Sequence, residues 1–132
     1  MTLAIDDTIR NAMMDAISAA IDAGATGGLI RFYNGAQPVK GGTVTTLLGT
    51  VTFAATSYNG AVAGAMTANA IVPGVGVGDA DATWFRVVDS NLVFVMDGTV
   101  GVSGADINLN TITISTGIDI DVTSSVLTAG NA

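Results

Sequence analysis

Residues 82–96 read Ala-Thr-Trp-Phe-Arg-Val-Val-Asp-Ser-Asn-Leu-Val-Phe-Val-Met. Two runs rich in β-branched and aromatic residues flank the tripeptide Asp-Ser-Asn, and these three residue types favour turns. The pattern therefore predicts a β-hairpin. The second run, 92–96, is apolar at every position, so we expect a central strand that is covered on both faces. The turn dipeptide Asp97-Gly98 follows it, which predicts a three-stranded meander over residues 82–102.

Segments of similar character recur along the chain after residue 27. Candidate strands lie at 28–33, 47–53, 66–72, 82–89, 92–96, 99–102, 109–115 and 118–126. Asn34-Gly35 and Asn59-Gly60 are further turn dipeptides. Apolar and polar residues alternate cleanly in the last two segments, as is typical of half-buried antiparallel strands. Short strands with regular turns predict a mainly β fold, either an antiparallel β-sandwich or a jelly-roll-like barrel, over residues 28–127.

One α-helix is expected before the strands, over residues 5–23. Apolar residues recur there at a strict four-residue spacing, and they are Ile5, Ile9, Met13, Ile17 and Ile21. We expect Ile9, Met13 and Ile17 to be buried against the domain's own sheet, with the groove of a partner as the alternative. Gly24 is placed to end the helix. Since 132 residues fit one domain and no linker divides them, residues 1–132 are predicted to form a single domain.

The composition indicates a surface with few ions. Hydrophobic residues make up 49% of the chain and charged residues only 11%, against a usual charged share of about 25%. Such a surface loses water at little cost, which favours contact with partner proteins, although a plain low-charge soluble domain fits equally well. The net charge of −7 and the scattering of four basic residues argue against binding to nucleic acid or to an anionic membrane surface.

The chain contains neither Cys nor His. Disulfides and thiolate metal sites are therefore excluded, and the commonest general base is missing. The only lysine, Lys40, lies in a Gly-rich stretch that predicts an exposed loop. We therefore expect no catalytic residues, no cofactor and no enzymatic activity. The acidic start has no basic region of the kind that precedes a secretory signal, and residues 60–78 are too polar and Gly-rich for a membrane helix.

Two close pairs of carboxylates, Asp79/Asp81 and Asp119/Asp121, have the oxygen ligands that Ca²⁺ prefers. Neither pair matches the EF-hand spacing, so solvated turn or edge acids are the interpretation that we adopt, and no metal site is predicted. The glycine-rich run 74–78 lacks the Lys and the helix that follow a phosphate-binding loop. It predicts a plain mobile loop.

Trp84 and Phe85 are adjacent, so their side chains point to opposite faces of the predicted strand. Arg86 shares the face of Trp84 and lies where a guanidinium can stack on a neighbouring ring. Together with Arg31, these two residues form the predicted partner-contact patch, and the helix is a second candidate. Internal packing of both aromatic residues is the alternative interpretation.

Three stretches resemble a group of small proteins encoded in tailed-phage genomes. They are Gly-Leu-Ile-Arg-Phe-Tyr-Asn-Gly-Ala-Gln-Pro at 28–38, Ala-Thr-Trp-Phe-Arg-Val-Val-Asp-Ser at 82–90, and Val-Met-Asp-Gly-Thr-Val-Gly with Ser-Gly-Ala-Asp-Ile-Asn-Leu-Asn at 95–110. The resemblance covers most of the chain after the helix. It implies a structural component of the virion, and a capsid cement or decoration protein is the member class that we favour.

The resemblance also implies the setting of the protein. The expected location is the virion, the expected partner is the major capsid protein, and a homo-oligomer is expected. Two other classes remain open: a tail or tail-tube component, which would also be rich in strands, and a surface module that binds glycans through exposed aromatic residues. The last class is disfavoured by an aromatic content of 5%.

Overall fold

The computed structural model describes residues 3–129, which form one helix followed by twelve strands. The elements are α1 Asp7–Ile21, β1 Leu29–Asn34, β2 Thr46–Phe53, β3 Ala65–Thr67, β4 Ile71–Val72, β5 Gly74–Val75, β6 Ala80–Asp81, β7 Trp84–Val88, β8 Phe94–Gly101, β9 Ile107–Leu109, β10 Thr113–Ile114, β11 Asp119–Ile120 and β12 Val122–Thr128. Strand residues (43%) far outnumber helical ones (12%). The predicted mainly β fold with an N-terminal helix is confirmed.

Eight strands form one curled sheet, a half-barrel, in the order β3-β12-β9-β8-β7-β1-β2-β4. Its neighbours pair antiparallel, except for β8 and β9, which are parallel. Two small sheets, β6 with β10 and β5 with β11, complete the strand pairing. The core includes Phe32, Phe53 and Phe85 from the large sheet and Met14 and Ile21 from the helix. The sheet agrees with the expected β-sandwich or barrel, and the β8–β9 pair is its one departure from the expected antiparallel pairing.

The predicted hairpin between residues 82 and 96 is confirmed as β7 and β8, but the predicted meander is wrong. Strand β8 runs straight through Asp97-Gly98 instead of turning there. Gly98 lies opposite Phe85, and a Cβ at this position would overlap the Phe85 ring. Asp97 is held by Arg86 on the neighbouring strand. Gly98 thus makes room for the Phe85 ring and Asp97 pairs with Arg86, and the dipeptide forms no turn.

The helix begins after Asp6, whose side chain accepts a hydrogen bond from the backbone N–H of Thr8 at 2.9 Å. The expectation that its four-residue stripe is buried is wrong for Ile9 and Met13, which are 56% and 47% exposed. Successive side chains four residues apart are rotated by about 40°, so the stripe drifts around the helix. The core-facing apolar positions are instead 14, 17 and 21.

The glycine-rich run 74–78 is a paired strand segment, not the loop that we expected. Gly74 and Val75 form β5, and Gly76 bridges both Gly49 and Thr116. A Cβ at Gly74 would overlap the carbonyl oxygen of Thr50, and one at Gly76 would overlap that of Ser115. Glycine is needed here because two backbones approach each other closely.

Candidate partner-binding surface

Three neighbouring strands place the predicted contact residues on one face of the sheet. Register pairs Tyr33 with Trp84, Arg31 with Arg86, and Arg86 with Asp97. Paired residues and alternate residues along a strand share a face, whereas Phe32 and Phe85 belong to the core on the other side. We call the face that carries Arg31, Tyr33, Trp84, Arg86 and Asp97 the outer face.

An ion pair lies at the centre of the outer face. Arg86 donates to Asp97 through two nitrogens, at 2.7 and 2.9 Å, and the two side chains are only 11% and 4% exposed. The hydrogen bond to Asp97 is the main cause that raises the pKa of the Arg86 guanidinium. The Cζ atom of Arg86 lies 5.5 Å from the centre of the Trp84 ring and 5.1 Å from the centre of the Phe94 ring. Arg86 is thus a permanently charged group whose charge is compensated within the chain.

The segment 35–45, which we call the cover loop, closes over this ion pair. Trp84 Nε1 donates to Thr45 Oγ1 at 3.0 Å, and the backbone N–H of Gly41 donates to Asp97 Oδ2 at 3.4 Å. Tyr33 stacks on Trp84 with ring centres 4.4 Å apart. The turn predicted at Asn34-Gly35 begins the cover loop. Gly35 has a φ of +96°, a conformation that glycine adopts without strain.

These contacts correct the predicted patch. Trp84 is 1% exposed and Arg86 is buried, so neither side chain is available on the surface of the single chain. The aromatic signal in the sequence arose from internal packing, which was the alternative interpretation. Arg31 is half-buried and reaches solvent. Of the three predicted residues, Arg31 alone remains a candidate for direct contact.

Lys40 is a further candidate contact residue, in addition to Arg31. Beside the ion pair lies a depression of about 320 Å³, lined by Gln37, Lys40, Phe94, Val95, Met96 and Asp97. Three of the four basic residues of the chain thus lie on or beside the outer face. Among residues 3–129, the ion pairs are Arg10–Asp7 and Arg86–Asp97, so Arg31 and Lys40 carry uncompensated charges. Positive charge is concentrated here in a chain of net charge −7.

The tip of the β7–β8 hairpin exposes two apolar side chains. Leu92 and Val93 are 60% and 59% exposed, so the prediction that residues 92 and 93 belong to a covered strand is wrong. Asp89 Oδ1 accepts hydrogen bonds from the backbone N–H groups of Asn91 and Val93, at 2.8 and 2.9 Å. Leu92 has a φ of +66°, which is strained for a residue with a side chain. The tip is therefore a fixed apolar projection.

Of the two carboxylate pairs, one is hydrogen-bonded within the chain and the other is exposed. Asp79 accepts from the backbone N–H and the hydroxyl of Thr116, and Asp81 accepts from the hydroxyl of Thr113 at 2.7 Å. Asp119 and Asp121 are exposed. Within residues 3–129, no three residues of the types His, Cys, Asp and Glu come together as metal ligands. Asp79 and Asp81 fix the segment 113–116 to β6.

We expect EDTA to leave the melting temperature of the protein unchanged. Both carboxylate oxygens of Asp79 already accept hydrogen bonds from Thr116, so they are satisfied without a cation. Thermal unfolding with EDTA and with added Ca²⁺ measures this. As a control, Asp79→Ala should lower the melting temperature equally in both solutions. A drop caused by EDTA, absent in Asp79→Ala, would contradict the prediction.

Comparison with family models, with curated proteins and with solved structures finds no match to this chain. Within residues 3–129, the single helix lacks the length and the apolar content that a membrane crossing requires.

Proposed function

We propose that this chain is a non-enzymatic structural protein of a tailed-phage virion, and that it binds the outer surface of the icosahedral capsid in many copies as a cement protein. The observation that supports this most directly is the concentration of positive charge at the outer face of an acidic chain. Arg31 and Lys40 are free to pair with acidic groups of a partner, which we propose to be the major capsid protein.

The apolar neighbours of these charges suit a protein surface as the ligand. Phe94 and Met96 are half-buried in the floor of the depression. Apolar contact supplies affinity, while Arg31 and Lys40 supply orientation and specificity against acidic groups. Arg31 and Lys40 are the uncompensated charges of this face, so few ions lose water when a partner covers it.

The buried ion pair gives this surface a fixed shape. Asp97 holds Arg86 from one side and the cover loop from the other, so Lys40 is presented on a loop that is tied to the sheet. A surface that is ordered before binding loses less conformational entropy when a partner binds. This property suits a protein that must clamp capsid subunits against internal pressure.

One of the other two classes finds less support. The larger aromatic side chains Tyr33, Trp84 and Phe85 are buried, which disfavours a glycan-binding module. A tail or tail-tube component remains the competing class. The position of the protein in a cryo-EM map of the purified virion separates the two.

The test is retention on virions of Arg31→Gln combined with Lys40→Gln. Loss of two contact charges is expected to weaken binding about tenfold or more, since each tenfold change corresponds to about 1.4 kcal/mol. Rebinding of purified protein to virions that lack it, followed by sedimentation, measures the change. Virions without the protein should also release DNA at a lower temperature.

The matched control is Thr123→Glu combined with Thr128→Glu, which alters the net charge equally at exposed positions of β12. This control should bind like the unchanged protein. Equal loss in both double variants would indicate a general charge effect and would contradict the proposed contact. Density for the protein along the tail, with none on the capsid, would overturn the cement function.

A further inference from the structure

Between positions 8 and 20, the outward side of helix α1 carries a single charged residue, Asp15. Its exposed residues between positions 8 and 20, apart from Asp15, are Thr8, Ile9, Ala12, Met13, Ala16, Ala19 and Ala20. Ile9 and Met13 are about half exposed, at 56% and 47%. A helix on the surface of a soluble domain normally shows charged and polar residues to water on this side. The face here is instead apolar over the length of the helix.

The charged residues in and around the helix are engaged with the chain itself. Asp7 pairs with Arg10 at 2.8 Å, Asp15 Oδ1 accepts from the backbone N–H of Ala61 at 3.0 Å, and Asp22 accepts from that of Ser57 at 3.0 Å. Arg10 also donates to the carbonyl oxygen of Ala129. These charges are thus engaged within the chain, although Asp7 and Asp15 stay exposed, and the remaining exposed residues of the helix between positions 8 and 20 are Thr8 and apolar residues.

The order of side-chain sizes along that face identifies the partner. Ile9, Met13, Ala16 and Ala20 follow the 4-3-4 spacing of a helix–helix seam. The large residues lie in the first half and the small ones in the second. In an antiparallel pair of two such helices, Ile9 faces Ala20 and Met13 faces Ala16, so a large side chain always meets a small one. A parallel pair would place Ile on Ile and leave a gap between alanines.

We propose that α1 of one copy packs antiparallel against α1 of a second copy, across a two-fold axis between Met13 and Ala16. The seam is self-complementary, as a two-fold interface requires. It is formed by residues distinct from Arg31 and Lys40, so a dimer leaves the outer face free for another partner. The inference does not depend on the proposed capsid function.

The expected association is weak in dilute solution. A helix of 15 residues is about 22 Å long and about 10 Å wide. One side of it covers a few hundred Å², which is less than the roughly 800 Å² per partner of a standard stable interface. Pairing therefore becomes extensive at high protein concentration, or where copies are already held close together.

Single-cysteine variants test both the pairing and its direction, because the chain has no Cys of its own. Ile9→Cys and Ala20→Cys are made separately and mixed at high concentration under mild oxidation. The antiparallel seam brings these two positions within disulfide distance between copies. The mixture should form the mixed disulfide dimer at least several-fold faster than either variant alone. The control mixture is Val39→Cys with Val102→Cys, two exposed positions outside the helix.

The products of the cross-linking reaction distinguish the possible arrangements. Selective formation of the mixed dimer, in which position 9 of one copy is joined to position 20 of the other, supports the proposal. Preferred dimers of each variant with itself would show a parallel pair and overturn it. Cross-linking no faster than in the control mixture would also overturn it, since circular dichroism on each variant first establishes that the helix is intact. Neither result depends on whether the protein binds a capsid.

Discussion

Asp97→Ala is expected to lower the free energy of unfolding by about 3–5 kcal/mol. The substitution leaves the Arg86 guanidinium with 11% of its surface exposed and without the carboxylate that accepts two of its hydrogen bonds. A buried charge without a partner retains the full cost of lost hydration. The backbone N–H of Gly41 loses its acceptor at the same time, so the cover loop is released. Chemical denaturation measures the change.

The double variant Arg86→Met with Asp97→Ala separates the lost ion pair from the lost packing. Methionine keeps most of the contact with the rings of Trp84 and Phe94 and leaves no buried charge. The double variant should therefore be clearly more stable than Asp97→Ala alone. If the two are equally unstable, the unpaired charge is not the cause of the loss. If Asp97→Ala costs less than about 1 kcal/mol, the cation reaches water and the outer face is more open than the structure indicates.

Local patterns were sufficient to predict the fold class. The turn at 89–91 and the β-branched runs on either side of it depend on neighbouring residues only, and so does the apolar spacing of the helix. These features predicted the hairpin of β7 and β8, the N-terminal helix and the mainly β fold.

The turn predicted at Asp97-Gly98 and the loop predicted at 74–78 were wrong because these glycines contact residues that are distant in the chain. Asp97-Gly98 has the composition of a turn, but Gly98 accommodates the ring of Phe85 and Asp97 binds Arg86. The run 74–78 has the composition of a loop, but Gly74 accommodates the backbone of Thr50. A turn glycine and a close-approach glycine look alike in sequence, since only the folded neighbours distinguish them.

The candidate site was predicted in part. The alternation along β7 placed Trp84 and Arg86 on one face, and the structure agrees and adds Arg31 of β1 to the same face. The burial of Trp84 was only the alternative interpretation, because the cover loop carries no hydrophobic pattern of its own. Lys40 reaches the site through the same loop. Its signals in the sequence were the turn at Asn34-Gly35 and the Gly-rich stretch around Lys40, which predict a loop but not where the loop packs.

The second substitution with a large expected effect on stability is at Gly74, where β5 approaches β2 closely. Gly74→Ala is expected to lower the free energy of unfolding by about 3 kcal/mol, at the upper end of the usual cost of overpacking. The new Cβ would overlap the carbonyl oxygen of Thr50 and lie 2.8 Å from its carbonyl carbon. Both atoms belong to the backbone, so no side chain can rotate away and β5 itself must move. Thermal and chemical denaturation measure the loss.

Gly60→Ala is the matched control for this substitution. No atom outside its chain neighbours lies within 4 Å of a Cβ built at Gly60, and its φ is not in the left-handed region. Alanine there restricts the unfolded chain and should leave stability unchanged or raise it by up to about 1 kcal/mol. A displaced β5 also strains its pairing with β11, in which Gly74 lies opposite Ile120. Equal stability of the two variants would therefore mean that the 74–78 segment is not packed against β2, and that the loop expected from its composition is the better description.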